Sequence, residues 1–176
     1  MALGSLRNTV RTIMSVLIAL WAVYVASLLW PQLMGLGIRP RTPAGLWGIL
    51  LCPLLHANAF HLTANCVALV PLLFLSLSYS RELTSDAVGV TWLFGGGLVW
   101  AFGDDTAVHV GASGVVFGLI GFLLFAGFWR RDWRAILSTG IVLMFYGGTV
   151  GNLLHIIPGV SWSSHMFGFL SGVAVA

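Results

Sequence analysis

Four polar side chains that could carry out chemistry lie within apolar stretches of this 176-residue sequence: His61, Asn65, Ser113 and His165. A strongly polar side chain inside a membrane span is costly unless it finds a partner or lines a cavity. A serine hydroxyl can act as a nucleophile, and an imidazole with a near-neutral pKa can accept its proton. These residue types are those of an acyl-transfer site, provided that the fold brings them together.

His61 and Asn65 are four residues apart, which places them on one face of a helix. Each side chain can offer an N–H donor, and two donors aimed into one polar pocket suit an oxyanion. A structural hydrogen bond between helices is the alternative for this pair.

Ser113 stands in the sequence Gly111-Ala112-Ser113-Gly114, where a polar segment gives way to an apolar helix. The first N–H groups of a helix lack intrahelical acceptors, and the helix dipole favours negative charge there. The position therefore suits a serine nucleophile whose own N–H faces the oxyanion. So short a motif is equally compatible with a structural role.

His165 is the candidate general base, although a buried hydrogen-bonding role is an alternative for a single intramembrane histidine. No acidic residue occurs in the apolar stretches that carry the four polar residues, and Asp104 and Asp105 are expected to be solvated. Phe117, one helical turn after Ser113, could supply a ring on which the imidazole stacks. The sequence thus predicts a Ser/His dyad without an acid.

The composition excludes a water-soluble globular domain. Hydrophobic residues make up 59% and charged residues 7% of the chain, and the mean hydropathy is +0.98. Soluble domains are about 25% charged. The net charge of +3 is too small and scattered for a nucleic-acid interface. The two cysteines, Cys52 and Cys66, form no CxxC metal motif and are not expected to form a disulfide framework.

The elements that must position the four residues are apolar helices. A span needs about 20 apolar residues, and six stretches approach this length. We therefore predict one all-α, polytopic membrane domain of six helices over residues 1–176. The predicted spans are Thr12–Trp30, Ala59–Leu77, Val88–Phe102, Ser113–Trp129, Ala135–Gly148 and Ser163–Ala176.

The arginines predict the topology, because short cytoplasmic loops gather arginine. With a cytoplasmic amino terminus, Arg39 and Arg41 lie outside and six arginines lie inside: Arg7, Arg11, Arg81, Arg130, Arg131 and Arg134. A signal peptide is an alternative for the first span, but the apolar run is longer than the usual ~7–15 residues. A retained signal-anchor helix is the preferred interpretation.

Small residues four apart predict close helix packing. Three sets have this spacing: Gly114/Gly118, Gly147/Gly151 and Ser164/Gly168/Gly172. Contact between the first and the last set would bring Ser113 close to His165.

Together, three sequence blocks resemble those of the rhomboid intramembrane serine proteases. Residues 56–65 resemble the family's H-x4-H-x3-N block, residues 111–114 its G-x-S-G block, and residues 165–172 its H-x2-G-x3-G block. Order and spacing agree, and the similarity extends from Trp47 to Gly172.

The resemblance implies Ser113 as nucleophile and His165 as base, with His61, Asn65 and the Ser113 N–H forming the oxyanion hole. It gives His56 a more structural role. It implies transmembrane proteins as substrates, membrane lipid as surroundings, a bacterial plasma membrane as location and no cofactor or metal. The expected supporting residues are His56, Gly111, Gly114, Phe117, Gly168 and Gly172.

The sequence also departs from the family pattern. Gly48 follows Trp47 where the family often has arginine, so the usual anchoring of the first outer loop is not expected. Phe117 stands where tyrosine is frequent. The last predicted span, Ser163–Ala176, would be about 21 Å long, less than a full crossing.

Two other functions are alternatives for this sequence. A catalytically silent rhomboid-like protein that binds transmembrane helices would retain the same fold. A metal- or haem-binding membrane protein would use the five histidines, His56, His61, His109, His155 and His165. No two of these histidines have the i,i+3 or i,i+4 spacing that places two imidazoles on one helix face.

Overall fold

The computed structural model describes residues 3–151, 153 and 161–176, and this part of the chain is almost entirely helical. The α-helices are α1 (Leu3–Leu29), α2 (Leu46–Leu51), α3 (Ala59–Tyr79), α4 (Arg81–Val90), α5 (Gly96–Phe102), α6 (Ser113–Arg130), α7 (Trp133–Gly151) and α8 (Trp162–Val175). Short 3-10 helices cover Pro31–Leu36 and Cys52–Leu54. The all-α membrane fold predicted from the apolar stretches is confirmed.

Among the described residues, four helices are long and apolar enough to cross a membrane: α1 from Gly4, α3, α6 and α7. The third predicted span is built differently from the others. It consists of α4, a π-helical turn at Thr91–Gly95, and α5 in direct succession. α8, at 14 residues, is shorter than the four long helices.

The helix α4, which opens the third predicted span, begins at Arg81, earlier than the predicted start of that span at Val88. The Ser80 hydroxyl caps it by accepting a hydrogen bond from the Leu83 N–H at 3.3 Å. Its first turns are polar, with Arg81 and Glu82 exposed. Hydropathy detected only the apolar second half of this span, because the residues of its first half are polar and lie at one end of the bundle.

α6 is the central helix of the bundle, and Leu119, Ile120 and Phe122 on it are buried. α8 packs against α6 with almost no space between the two backbones. A Cβ on Gly168 would overlap the Gly114 carbonyl oxygen, and a Cβ on Gly172 would overlap the Gly118 carbonyl oxygen. The predicted contact between these two sets of glycines is therefore present.

The close packing expected at Gly147 is not found within the described residues. Among them, no neighbouring atom lies within 4 Å of the position that a Cβ on Gly147 would take. α7 presents much of its surface outward instead, with Met144 and Phe145 exposed. Spacing alone does not distinguish a packing face from a lipid-facing one.

The first outer loop, before α2, is anchored to the loop between α5 and α6, although no arginine follows Trp47. The Arg41 guanidinium donates to the Gly103 carbonyl at 2.9 Å and forms an ion pair with Asp105 at 2.6 Å. Gly48, in α2, allows this loop to pack closely, because a Cβ there would overlap the backbone of Gly37. The loop is thus fixed by contacts other than those expected, and Asp105 is paired rather than only solvated.

Ile38 and His109 also connect the two loops through a short antiparallel β-bridge. The Ile38 N–H donates to the His109 carbonyl at 3.0 Å, and the His109 N–H donates to the Ile38 carbonyl at 2.9 Å. The loops before α2 and α6 are therefore joined to each other through their backbones.

Replacing Gly172 with alanine should lower the free energy of unfolding by about 1–3 kcal/mol, because the new Cβ would overlap the Gly118 carbonyl oxygen. Gly140→Ala in α7 is the matched control, since its Cβ would meet nothing within 4 Å. Alanine also favours helix, so the control should be as stable as the wild type or more so. Denaturation in mixed detergent micelles, followed by circular dichroism, measures both. Equal stability of the two variants would contradict this packing.

Candidate active site

A tight turn places Ser113 at the first residue of α6. Gly111 has a φ of +118°, which side chains rarely allow, and its N–H donates to the Cys52 carbonyl at 2.8 Å. The next N–H, that of Ala112, donates to His56 Nε2 at 3.3 Å. The segment around Cys52 and His56 therefore satisfies both N–H groups that precede Ser113 and fixes the turn.

His56 is nearly fully buried, with 1% of its surface exposed. Its Nδ1 lies 3.2 Å from the Leu54 carbonyl, so the partners require Nδ1 to carry the proton and Nε2 to accept from Ala112. Burial, and to a lesser extent the nearby His61, lower the pKa of His56 to about 4, against a smaller opposing effect of the Leu54 hydrogen bond. The imidazole is thus held neutral.

His61 and Asn65 project from the first turns of α3 toward the Gly111 turn. Asn58 caps this helix, because its Oδ1 accepts a hydrogen bond from the His61 N–H at 2.9 Å. A Cβ on Gly111 would lie 2.7 Å from His61 Nε2 and 3.6 Å from Asn65 Nδ2. Glycine at position 111 therefore makes room for His61, a reason that the sequence did not reveal.

The side-chain amide of Asn65 is buried, and its Nδ2 has no hydrogen-bond partner among the described residues. An unpaired buried donor costs about 1–3 kcal/mol. Because Nδ2 is near the Gly111 turn, it could donate to a group that enters beside Ser113.

His165 lies in the first turn of α8 with its ring stacked on Phe117. The ring centroids are 4.2 Å apart and the planes differ by 21°. Phe117 is buried on α6, one helical turn after Ser113. The four polar residues identified in the sequence thus lie at one end of α3, α6 and α8.

Within the described part of the chain, no hydrogen bond joins the Ser113 hydroxyl to His165. The two residues are brought together by the stacking on Phe117 and by the contact between Gly114 and Gly168. Catalytic hydrogen bonds are often long or misaligned without substrate and tighten when it binds.

The described residues contain no group of three or more His, Cys, Asp and Glu side chains arranged to hold a metal ion. His155, one of the five histidines of the metal-binding alternative, lies outside the described residues.

A series of hydrogen bonds between polar groups supports the start of α8. His109 Nε2 lies 2.8 Å from the Asp104 carbonyl and its Nδ1 lies 2.6 Å from Ser161 Oγ. Ser161 Oγ lies 2.6 Å from Ser164 Oγ and accepts from the Ser164 N–H, so it caps α8. The sequence did not predict this series of hydrogen bonds. The only local signal was a serine three residues before another at a helix start.

Comparison with known proteins gives a consistent result. Residues 43–176 match the family model described as the Rhomboid domain. An uncharacterized protein of Mycobacterium tuberculosis, Rv1337, is 38% identical over 149 residues, which is 80% of this chain and 62% of that protein. RHOMBOID-like protein 4 of Arabidopsis thaliana is 31% identical over 72% of this chain and 32% of its own length. The chain thus spans about three fifths or less of the length of these relatives.

Acid should destabilise the fold through His56. Its native pKa of about 4 is below the value of 6.5 expected in the unfolded chain, so the unfolded state binds more protons between these values. Stability should therefore fall as the pH is lowered from about 6.5 toward 4. Denaturant titrations across this range measure the loss.

His56→Gln provides the comparison, since glutamine can donate and accept but does not titrate. The two proteins differ only at position 56, so the variant should lose less stability over this range than the wild type. An equal loss in both proteins would show that His56 is not held neutral.

Proposed function

Because the chain belongs to the rhomboid family, we propose that it is an intramembrane serine endopeptidase that hydrolyses peptide bonds in or next to transmembrane helices of membrane proteins. One observation carries the proposal: three groups meet at one end of the bundle. Ser113 begins α6, the imidazole of His165 stacks on Phe117 one turn further along α6, and the buried amide of Asn65 has no partner among the described residues. These are the nucleophile, base and oxyanion donor of acyl transfer.

In the proposed reaction, Ser113 Oγ attacks the scissile carbonyl carbon while His165 accepts the hydroxyl proton. His165 then delivers this proton to the leaving amine as the C–N bond breaks, which leaves an ester on Ser113. Water attacks the ester, again giving a proton to His165, and the proton returns to Ser113 Oγ as the acid product departs.

Phe117 takes the orienting role that an acidic residue has in a triad. Its ring covers one face of the imidazole, which limits the directions in which His165 can turn. The bonds from His109 to Ser161 and from Ser161 to Ser164 fix the first turn of the same helix. His165 is thereby supported by packing and by helix capping.

Asn65, His61 and the Ser113 N–H are the proposed donors to the oxyanion. The Asn65 amide has no partner among the described residues, and the cost of leaving it unpaired is recovered when the negatively charged oxygen forms. Gly111 keeps the space between these donors open, because any side chain there would occupy it.

The protein is an integral membrane protein, as its apolar helices and family require. We place the amino terminus in the cytoplasm and the site near the outer face of a bacterial plasma membrane. Arg81 and Arg130 lie at the ends of helices away from Ser113, which supports this orientation by the positive-inside rule.

Ser113→Ala and His165→Ala should each abolish cleavage of a transmembrane reporter reconstituted with the full chain, because each removes a reacting group. Ser138→Ala is the matched control, since Ser138 is a buried serine on α7 and should leave the rate unchanged. Product formation is measured by gel or mass spectrometry. Cleavage that persists in either site variant would overturn the proposal.

Asn65→Ala should lower kcat by about 10²–10³-fold with little change in KM, because the donor acts mainly on the transition state. Ser76→Ala on the same helix is the control. Its hydroxyl is also buried without a partner among the described residues, but it lies at the other end of α3. An effect on KM alone would assign Asn65 to substrate binding instead.

A second candidate is a catalytically silent protein that binds transmembrane helices. It is favoured by one observation, the lack of a Ser113 to His165 hydrogen bond in the described part of the chain. Such a protein would retain the reporter on co-purification without cutting it, and Ser113→Ala would retain the same amount. Cleavage by the wild type, lost in Ser113→Ala, excludes this candidate.

A further inference from the structure

The end of the bundle opposite Ser113 contains a polar cleft of about 390 Å³ between α1 and the start of α4. It is lined by Asn8, Arg11, Thr12, Ser15 and Arg81. The first four follow an i, i+3, i+4, i+7 pattern, so they form one stripe along α1. Two of the five lining residues are cationic and none is acidic.

Arg81 is held in place on the cleft wall by the protein itself. Its guanidinium donates to Thr9 Oγ1 at 2.9 Å and to the Ser5 carbonyl at 3.5 Å. It makes no ion pair with a carboxylate in the described residues, and neither does Arg11. Two guanidinium groups facing one cleft without a carboxylate form a site for an anion, and arginine matches phosphate in a bidentate manner.

The position of the cleft along α1 places it at the boundary of the membrane. About 20 helical residues cross the hydrocarbon layer, and the apolar part of α1 continues to Leu29. The layer then begins near Val10, so Arg11 lies at the level where lipid headgroups meet the acyl chains, and Ser15 lies one helical turn deeper. Basic pockets between helices at this level are where anionic lipid headgroups bind.

The exposed face of α1 changes from polar to apolar along its length. Beyond Ser15 the same stripe continues with Ile18, which is 64% exposed, and with exposed Ala19 and Ala22. A free phosphate ion would use only the polar part of this face. A phospholipid matches both parts, because its charged head and its apolar chains follow the same order.

We propose that this cleft binds the phosphate of an anionic phospholipid, with Arg11 and Arg81 on the phosphate and the acyl chains along α1 beyond Ser15. The side chains of Asn8 and Ser15 add hydrogen-bonding capacity for the glycerol or headgroup oxygens. The Thr12 hydroxyl donates to the Asn8 carbonyl at 3.0 Å, so it is available to the lipid mainly as an acceptor. This site is separate from Ser113 and does not depend on the proposed protease function.

The test is native mass spectrometry of the full chain released from micelles containing phosphatidylglycerol or phosphatidylcholine. The wild type should retain phosphatidylglycerol in preference to phosphatidylcholine. Arg11→Gln and Arg81→Gln should each reduce this retention about fivefold, which corresponds to roughly 1 kcal/mol per basic residue. Arg134→Gln makes the same charge change at the same end of the bundle, outside the cleft, and should retain as much as the wild type.

Three results would overturn the proposal. Equal loss in Arg134→Gln would indicate diffuse charge attraction, and unchanged retention in Arg11→Gln would remove the site. Displacement of the lipid by inorganic phosphate at equal concentration would show that the cleft takes a free anion. Arg11→Gln is the decisive variant, because Arg11 makes no hydrogen bond within the described residues and its loss should leave the fold intact.

Discussion

The approach of α8 to α6 is the constraint on which the rest of the structure depends. Two glycines on α8 meet carbonyl oxygens of two glycines on α6, so the helices touch through their backbones. In lipid, apolar contact alone gives little association, and close backbone packing supplies it instead. The same contact sets the distance between Ser113, at the start of α6, and His165, at the start of α8. Packing and the geometry of the candidate site therefore have one cause.

The polar groups at this end of the bundle are arranged around that contact in two layers. Backbone N–H groups before Ser113 are satisfied by Cys52 and His56, which lie in the segment between α2 and α3. His61 and Asn65 then approach from α3 into the space left by Gly111. Most donors are paired, as burial requires. The amide of Asn65, which has no partner in the part of the chain that the structure describes, stands out for that reason and links the packing of the site to its proposed chemistry.

Periodic features of the site could be predicted from the sequence, and features that depend on distant partners could not. The spacing of His61 and Asn65 and the glycines of α6 and α8 report directly on helix faces. The space that Gly111 leaves for His61 depends on a partner about 50 residues away, and so does the link from His109 to Ser161. The polar start of α4 was missed because hydropathy does not register a capped polar turn such as the one that follows Ser80. Gly147 shows the converse error, since its spacing matched a packing face, but no neighbouring atom of the described residues lies within 4 Å of its Cβ position.

The central claim is that the Ser113 hydroxyl, the His165 imidazole and the Asn65 amide act on one substrate carbonyl. An experimental structure of the full chain after reaction with a serine-directed phosphonate tests it most directly. We expect a bond from phosphorus to Ser113 Oγ, with the phosphoryl oxygen within hydrogen-bonding distance of Asn65 Nδ2 and the imidazole of His165 beside the ester oxygen. A phosphonate attached elsewhere, or a phosphoryl oxygen that faces away from Asn65, would contradict the account.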